Sequence, residues 1–210
     1  MKTKDKILYK SIELFNQSGS QSVSTNHIAE ALGISIGNLY YHFKSKEEII
    51  RAILDKIDQI SSLSAFLEVE TPETLSLIQR IFEATFRIQY EFRFFHNEIV
   101  SLLKNDPLLR TRYEKFKNKR FVELQQLVKN LIQSGTLQDI PFDSYHNLLE
   151  AEWLILSFWL PKLEMEGKAL HESEIKRGII ILFELFLPYT TEKGKEEYHA
   201  WRERWQPAAV

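Results

Sequence analysis

At 210 residues the chain is long enough for one large domain or for a small one joined to a larger one. With no cysteine it has no disulfide, no thiolate metal site and no cysteine nucleophile, and its sparse glycine (7) and proline (6) weigh against a turn-rich β architecture. The formal net charge of −2 hides an asymmetry: residues 1–46 carry six lysines against Asp5, Glu13 and Glu30, a net of +3, which leaves −5 for the remainder.

The punctuation of the sequence predicts a succession of helices. The first runs from about Thr3, read as its N-cap, to Ser18, with Gly19 as the stop and Leu8, Ile12 and Phe15 on one face. A short second helix follows Ser24, carries Ile28, Ala29 and Leu32, and ends at Gly33. A third begins after Ser35 and reaches about His42. Ser45-x-x-Glu48 is a capping box that opens a fourth, with Ile49, Ile50, Ile53, Leu54 and Ile57 leading into the sixties. Thr71-Pro72-Glu73 signals a fifth start, for a helix to about Asn97. Asp106-Pro107 breaks the chain, residues 107–134 read as helix up to Gly135, and Pro141 breaks it again. Helices over about 143–164 and 172–187 follow, and the tail, 190–206, places Tyr198, Trp201 and Trp205 on one side.

The most informative stretch is Ser24 to Lys46. Two short helices are joined by Gly33-Ile34-Ser35, in which Gly can take a positive φ, Ile34 can pack inward and Ser35 can cap the next helix. That construction is a helix-turn-helix, whose second helix enters a major groove. Leu39 and Phe43, four apart, face inward; Gly37, Asn38 and Tyr41 face the opposite way, with Ile36 and Tyr40 on the flank. Asn can bond adenine through two hydrogen bonds and apolar groups can meet a thymine methyl. Tyr, Ser, Thr and Lys, with backbone N–H groups at helix starts, suit phosphate oxygens.

At these residues the chain resembles the tetracycline-repressor (TetR) family of transcriptional regulators. The family signature, roughly T-x-x-x-I-A-x-x-x-G-V-S-x-G-x-L-Y-x-H-F-x-S-K-E-x-L, is matched by Ser24, Ile28, Ala29, Gly33, Ile34, Ser35, Gly37, Leu39, Tyr40, His42, Phe43, Ser45, Lys46, Glu47 and Ile49, with Ser24 for Thr, Ile34 for Val and Ile49 for Leu as conservative swaps. The likeness covers roughly residues 3–55. It implies an all-α fold, with a three-helix DNA-binding head at 1–50 and a larger helical ligand-binding and dimerisation domain at 51–210. Ser24, Thr25 and Asn26 are then expected against the DNA backbone or groove edge. Ser35, Ile36, Gly37, Asn38 and Tyr41 are expected at bases, and Tyr40, His42 and Lys46 at phosphates or orienting their neighbours. Ile36 departs from the polar residue common at its position.

The resemblance also implies a cavity for a small, mostly hydrophobic effector among the central helices, and Phe86, Tyr90, Phe94 and Trp153 are the expected lining. The helices near 143–164 and 172–187 are apolar on more than one side, with Leu154, Phe158, Ile180 and Leu185 off the main stripe. One side can serve the monomer core and the other a twofold partner, so a homodimer on a palindromic double-stranded DNA operator is expected. No cofactor, metal or enzymatic activity is expected: the chain lacks phosphate-cradling, nucleophile-elbow and zinc-helix motifs, and His96-Asn97-Glu98 has no cysteines to complete a deaminase site. No apolar run approaches the ~20 residues of a membrane span, and the N-terminus carries no signal-like segment, so a cytoplasmic location is expected. The rival reading is a helical small-molecule carrier with a vestigial helix-turn-helix, which would bind DNA weakly and without sequence preference.

Overall fold

Three serines set the first turns of the short N-terminal helices. In the computed structural model, which describes residues 2–63, 74–169 and 171–204, Ser24 Oγ accepts the N–H of His27 at 3.2 Å, Ser35 Oγ that of Asn38 at 3.2 Å and Ser45 Oγ that of Glu48 at 3.3 Å. Each satisfies a donor that the first turn of a helix would otherwise leave unpaired. They open α2 (Thr25–Leu32), α3 (Ile36–His42) and α4 (Lys46–Ile60), which follow α1 (Thr3–Ser18). Thr3 is already inside α1, and the residue before it, Lys2, makes no side-chain cap. The box expected at Ser45 is half made, because Glu48 accepts the N–H of Lys44 at 2.6 Å instead of that of Ser45. A complete box lies at Ser24, where His27 Nδ1 accepts the Ser24 N–H at 3.3 Å.

The described residues form ten α-helices and no β-strand, in two compact units that are discontinuous in sequence. The first takes residues 1–61 and 88–117, the second 62–87 and 118–210. The unit built around the helix-turn-helix therefore extends well past residue 50. Leu8, Ile12, Ile28, Leu39 and Phe43 form its core as their spacing indicates, with Ile49, Ile53 and Ile57 from α4. Phe92, Phe94, Phe95 and Ile99, from a segment that begins 35 residues after Ile57, complete it.

That segment explains a break not visible in the local sequence. The single helix read up to Asn97 is two, α5 (Thr74–Glu91) and α6 (Arg93–Asn105); its proposed start at Thr71-Pro72-Glu73 lies outside the described residues. At the joint Asn16 of α1 donates to the carbonyl of Glu91 at 2.7 Å and accepts the N–H of Phe94 at 3.0 Å, while Phe92 is fully buried. Asp106 then starts α7 (Pro107–Gln133): Oδ1 accepts from the N–H groups of Leu108 and Leu109, both at 3.0 Å, and Oδ2 receives Arg51 at 2.7 Å.

In the second unit residues 118–133 of α7 pack with residues 74–87 of α5, α8 (Phe142–Met165), α9 (Glu172–Phe186), a 3₁₀ turn at Leu187–Tyr189 and α10 (Glu192–Arg204). Along α8, Tyr145, Leu149, Glu152, Trp159 and Leu163 are buried at the three- and four-residue spacing of one helix face. Gly178 lets α9 come close to two rings: a Cβ there would lie 2.7 Å from Phe86 and 3.1 Å from Trp159. Tyr198 and Trp201 of α10 are buried against Phe183, and Trp201 Nε1 donates to Gln79 at 2.6 Å. Trp205, read as a third member of that stripe, lies outside the described residues.

Candidate nucleic-acid interface and effector cavity

The turn between α2 and α3 is built from Gly33, at φ +65°, whose N–H returns to the carbonyl of Glu30 at 3.0 Å. Ile34 N–H bonds the carbonyl of Ala29 at 3.0 Å, and Ser35 caps the next helix. With Leu39 and Phe43 buried, the orientation of α3 is fixed and its other side is left in solvent. Gly37, Asn38, Tyr40 and Tyr41 are all exposed there, Tyr41 at 79%. Ile36 is half-buried against the core, which gives an apolar side chain at that position a packing role.

The expected contact residues fall into two groups. Asn26, Asn38, Tyr41 and the backbone at Gly37 face outward, and the ring of Tyr41 stands edge-on to His42 at 5.1 Å. The others are tied into the head itself. Ser24 and Ser35 accept capping bonds, which still leaves each hydroxyl a proton to donate. Thr25 and Tyr40 share a hydrogen bond at 3.1 Å between their hydroxyls, linking the start of α2 to the middle of α3. Lys46 donates to the carbonyl of Ser20 at 2.6 Å. Ser20 is buried, and its N–H and hydroxyl both go to Glu98. The Glu98 of the H-x-E motif is thus a tie between α6 and the end of α1.

Two residues of this surface carry roles that the sequence reading did not assign. Lys44 donates to the carbonyl of Tyr40 at 2.8 Å and puts a positive charge at the end of α3; its place between Phe43 and Ser45 in the basic segment was the available signal. His27 takes the place of a carboxylate in the capping box of α2, three residues after the cap. Beside them Glu47 is held below the usual carboxylate range, first by the Ser45 hydroxyl.

The second unit contains a cavity of about 60 Å³. Its wall is formed by aliphatic side chains such as Leu75, Leu124, Leu149 and Leu182, by the rings of Phe82, Phe183, Phe186 and Tyr198, and by Thr136, Thr190 and Glu152. Phe86, Tyr90, Phe94 and Trp153 are not part of it. Phe86 is packed between Trp159 and Gly178, Tyr90 is at the surface beneath Arg93, Phe94 belongs to the first unit's core against Phe15, and Trp153 stacks beside Phe121. At Phe86 and Phe94 aromaticity marked core positions. Glu152 is 3% exposed, and burial alone pushes its carboxyl up to about 8.

Among the described residues no helix is long and apolar enough to cross a membrane, and no three His, Asp or Glu side chains are grouped as a metal would require.

Comparison with known proteins adds to this geometry. Residues 7–53 match the family model described as bacterial regulatory proteins of the tetR family, and residues 60–198 match a TetR model described as a bacterial transcriptional repressor. The chain is similar to the HTH-type transcriptional regulator UidR of Escherichia coli K12, 41% identical over 66 residues, 31% of this chain and 33% of that protein. It is also similar to QacR of Staphylococcus aureus, 46% identical over 55 residues, 26% of this chain and 29% of that one. The chain thus spans about a third of the length of these curated relatives. Along nearly its whole length it is similar to the crystal structure of a TetR-family transcriptional regulator from Marinobacter aquaeolei, with 35% identity, a TM-score of 0.86 and coverage of 99% of this chain and 100% of that one.

Proposed function

This chain belongs to the TetR family of DNA-binding transcriptional regulators, and from that premise we propose that it is a homodimeric, effector-controlled repressor of a palindromic operator. The observation that carries the reading is the α2–α3 pair: α3 is anchored by Leu39 and Phe43 while Asn38, Tyr41 and the small Gly37 stand together in solvent. An amide, a phenol and a bare backbone are suited to base edges and thymine methyls. Asn26, Tyr40, His42, Lys44 and the Ser24, Thr25 and Ser35 hydroxyls surround them with phosphate-binding chemistry. Lys46, engaged by Ser20, reaches DNA with the two remaining protons of its ammonium.

Dimerisation is supported by α8, where Leu154 (57% exposed), Phe158 (46%) and Met165 form an apolar stripe on the side away from the buried positions. Two such stripes related by a twofold axis would cover each other and set two copies of α3 on successive turns of DNA. A small, largely hydrophobic effector in the second unit's cavity would release the operator, provided it binds the weakly DNA-binding conformer more tightly than the other.

The test is fluorescence anisotropy at physiological salt with DNA from upstream of the protein's own gene, against scrambled DNA. Specific sites are typically bound ~10³-fold or more tightly than non-specific ones, and Asn38→Ala is expected to narrow that gap by about 1–3 kcal/mol. Equal binding of native and scrambled DNA, followed by failure of a genome-wide selection to return any site, would sink the reading in favour of a carrier.

A further inference from the structure

We propose that the cavity of the second unit takes a small alkylamine or aralkylamine, its ammonium held by the Glu152 carboxylate and its apolar body lying among the surrounding leucines and rings. The inference rests on the reading of the chain as an effector-controlled regulator, and names the chemical class of the effector.

Three observations point to an amine. First, Glu152 is the wall's one carboxyl, and among the described residues it has neither a hydrogen-bond nor a salt-bridge partner. A buried carboxyl without a partner is costly and is normally paired. Second, the other polar side chains of the wall are already engaged. Thr190 donates to the carbonyl of Leu187 at 2.7 Å, Thr136 to Glu197 at 3.2 Å and Tyr198 to Glu184 at 3.4 Å. A polar ligand group would therefore find Glu152 and little else. Third, the wall contains no lysine, arginine or histidine, so nothing there answers a ligand's negative charge, whereas it does include the aromatic rings of Phe82, Phe183 and Tyr198, a group type that attracts cations. Empty, the carboxyl is kept neutral well above the usual carboxylate range by burial; a bound ammonium supplies the opposite charge that returns it to the ionised form. The modest volume fits an ammonium and a short chain.

The experiment titrates the full-length protein, free of DNA, with n-butylamine, 1-butanol and butyrate, which share a chain and differ in the head group. Binding is followed by NMR of the leucine and isoleucine methyls, with Leu149 and Leu182 as wall reporters. n-Butylamine is expected to bind at least tenfold more tightly than either other probe, and Glu152→Gln, close in shape, to erase that preference while its melting curve and operator affinity show it folded. Butanol or butyrate binding as tightly as the amine overturns the proposal, as does an amine preference that survives in Glu152→Gln or the absence of any shift at the wall. Because DNA is left out, loss of operator specificity with intact amine binding would strike the regulator reading alone, and the reverse result would strike the amine alone.

Discussion

Among the described residues each compact unit holds an ionisable side chain with neither a hydrogen-bond nor a salt-bridge partner, and the two are opposite in kind. In the first unit both ring nitrogens of His96 are shut away from solvent without a hydrogen-bond partner, and burial pushes its pKa down to about 4. In the second, burial pushes Glu152 up to about 8. Both groups are held neutral, but the pH ranges that penalise them differ. His96 is half-buried with its ring edge-on to Phe95 at 6.2 Å, whereas Glu152 faces an open space. The difference separates a polar group tolerated by packing from one with room for a ligand.

The largest expected effect sharpens this contrast. Between pH 4.5 and 8 the unfolded chain has Glu152 ionised while the folded protein keeps it protonated, so the folded state holds the extra proton and stability falls as pH rises. The slope is roughly 1.4 kcal/mol per pH unit, to about 5 kcal/mol across the window. His96 has the opposite sign: from pH 6.5 down to about 4 the unfolded chain takes up a proton that the folded one refuses, so stability falls as pH falls. Over the shared range the two contributions largely offset. Urea denaturation should show a clear decline only from about 6.5 to 8, and Glu152→Gln should flatten it; an unchanged decline in that variant would show that the acid is not buried as described.

A second experiment tests whether the units can be broken apart. The described tryptophans, Trp153, Trp159 and Trp201, all belong to the second unit, so their fluorescence reports that unit. Leu39→Ala removes a fully buried side chain from the helix-turn-helix, at a cost of about 2–5 kcal/mol. DNA binding should be lost while the tryptophan-monitored melt and butylamine binding persist. A matching loss in the tryptophan signal would mean that the two units fold as one.

The smallest effect concerns the local code of the head. Ser35→Ala removes the cap of α3 and should cost about 1 kcal/mol, seen as a lower urea midpoint and weaker operator binding. No change would leave the orientation of α3 to Leu39 and Phe43 alone.

Much of the first unit was legible because its instructions are local. Ser24, Gly33, Ser35 and Ser45 lie within a residue of the helix ends they set, and Leu39 and Phe43 reveal the buried face of α3 by spacing alone. What was not legible depends on partners distant in sequence. The joint between α5 and α6 is specified by Asn16, more than seventy residues earlier, and Lys46 answers a carbonyl in another segment. The cavity was misread for a different reason. Aromatic residues attract attention as ligand lining, yet Phe86 and Phe94 fill core space. The useful signal was Glu152, an acid in register with Tyr145, Leu149, Trp159 and Leu163 on the buried face of α8. An acid among the abundant carboxylates of a helical protein reads as surface until its register is checked.

Gly178 has a consequence for how this sequence can drift. With Phe86 2.7 Å and Trp159 3.1 Å from where a Cβ would be, any side chain at 178 must displace two large rings in a filled interior. The three positions therefore form one heritable unit: descendants that keep both rings keep the glycine, and those that gain a side chain at 178 must shrink a ring in compensation. In an alignment of relatives that triplet should covary, and it would identify which of them share this packing even where the rest of the second unit has diverged.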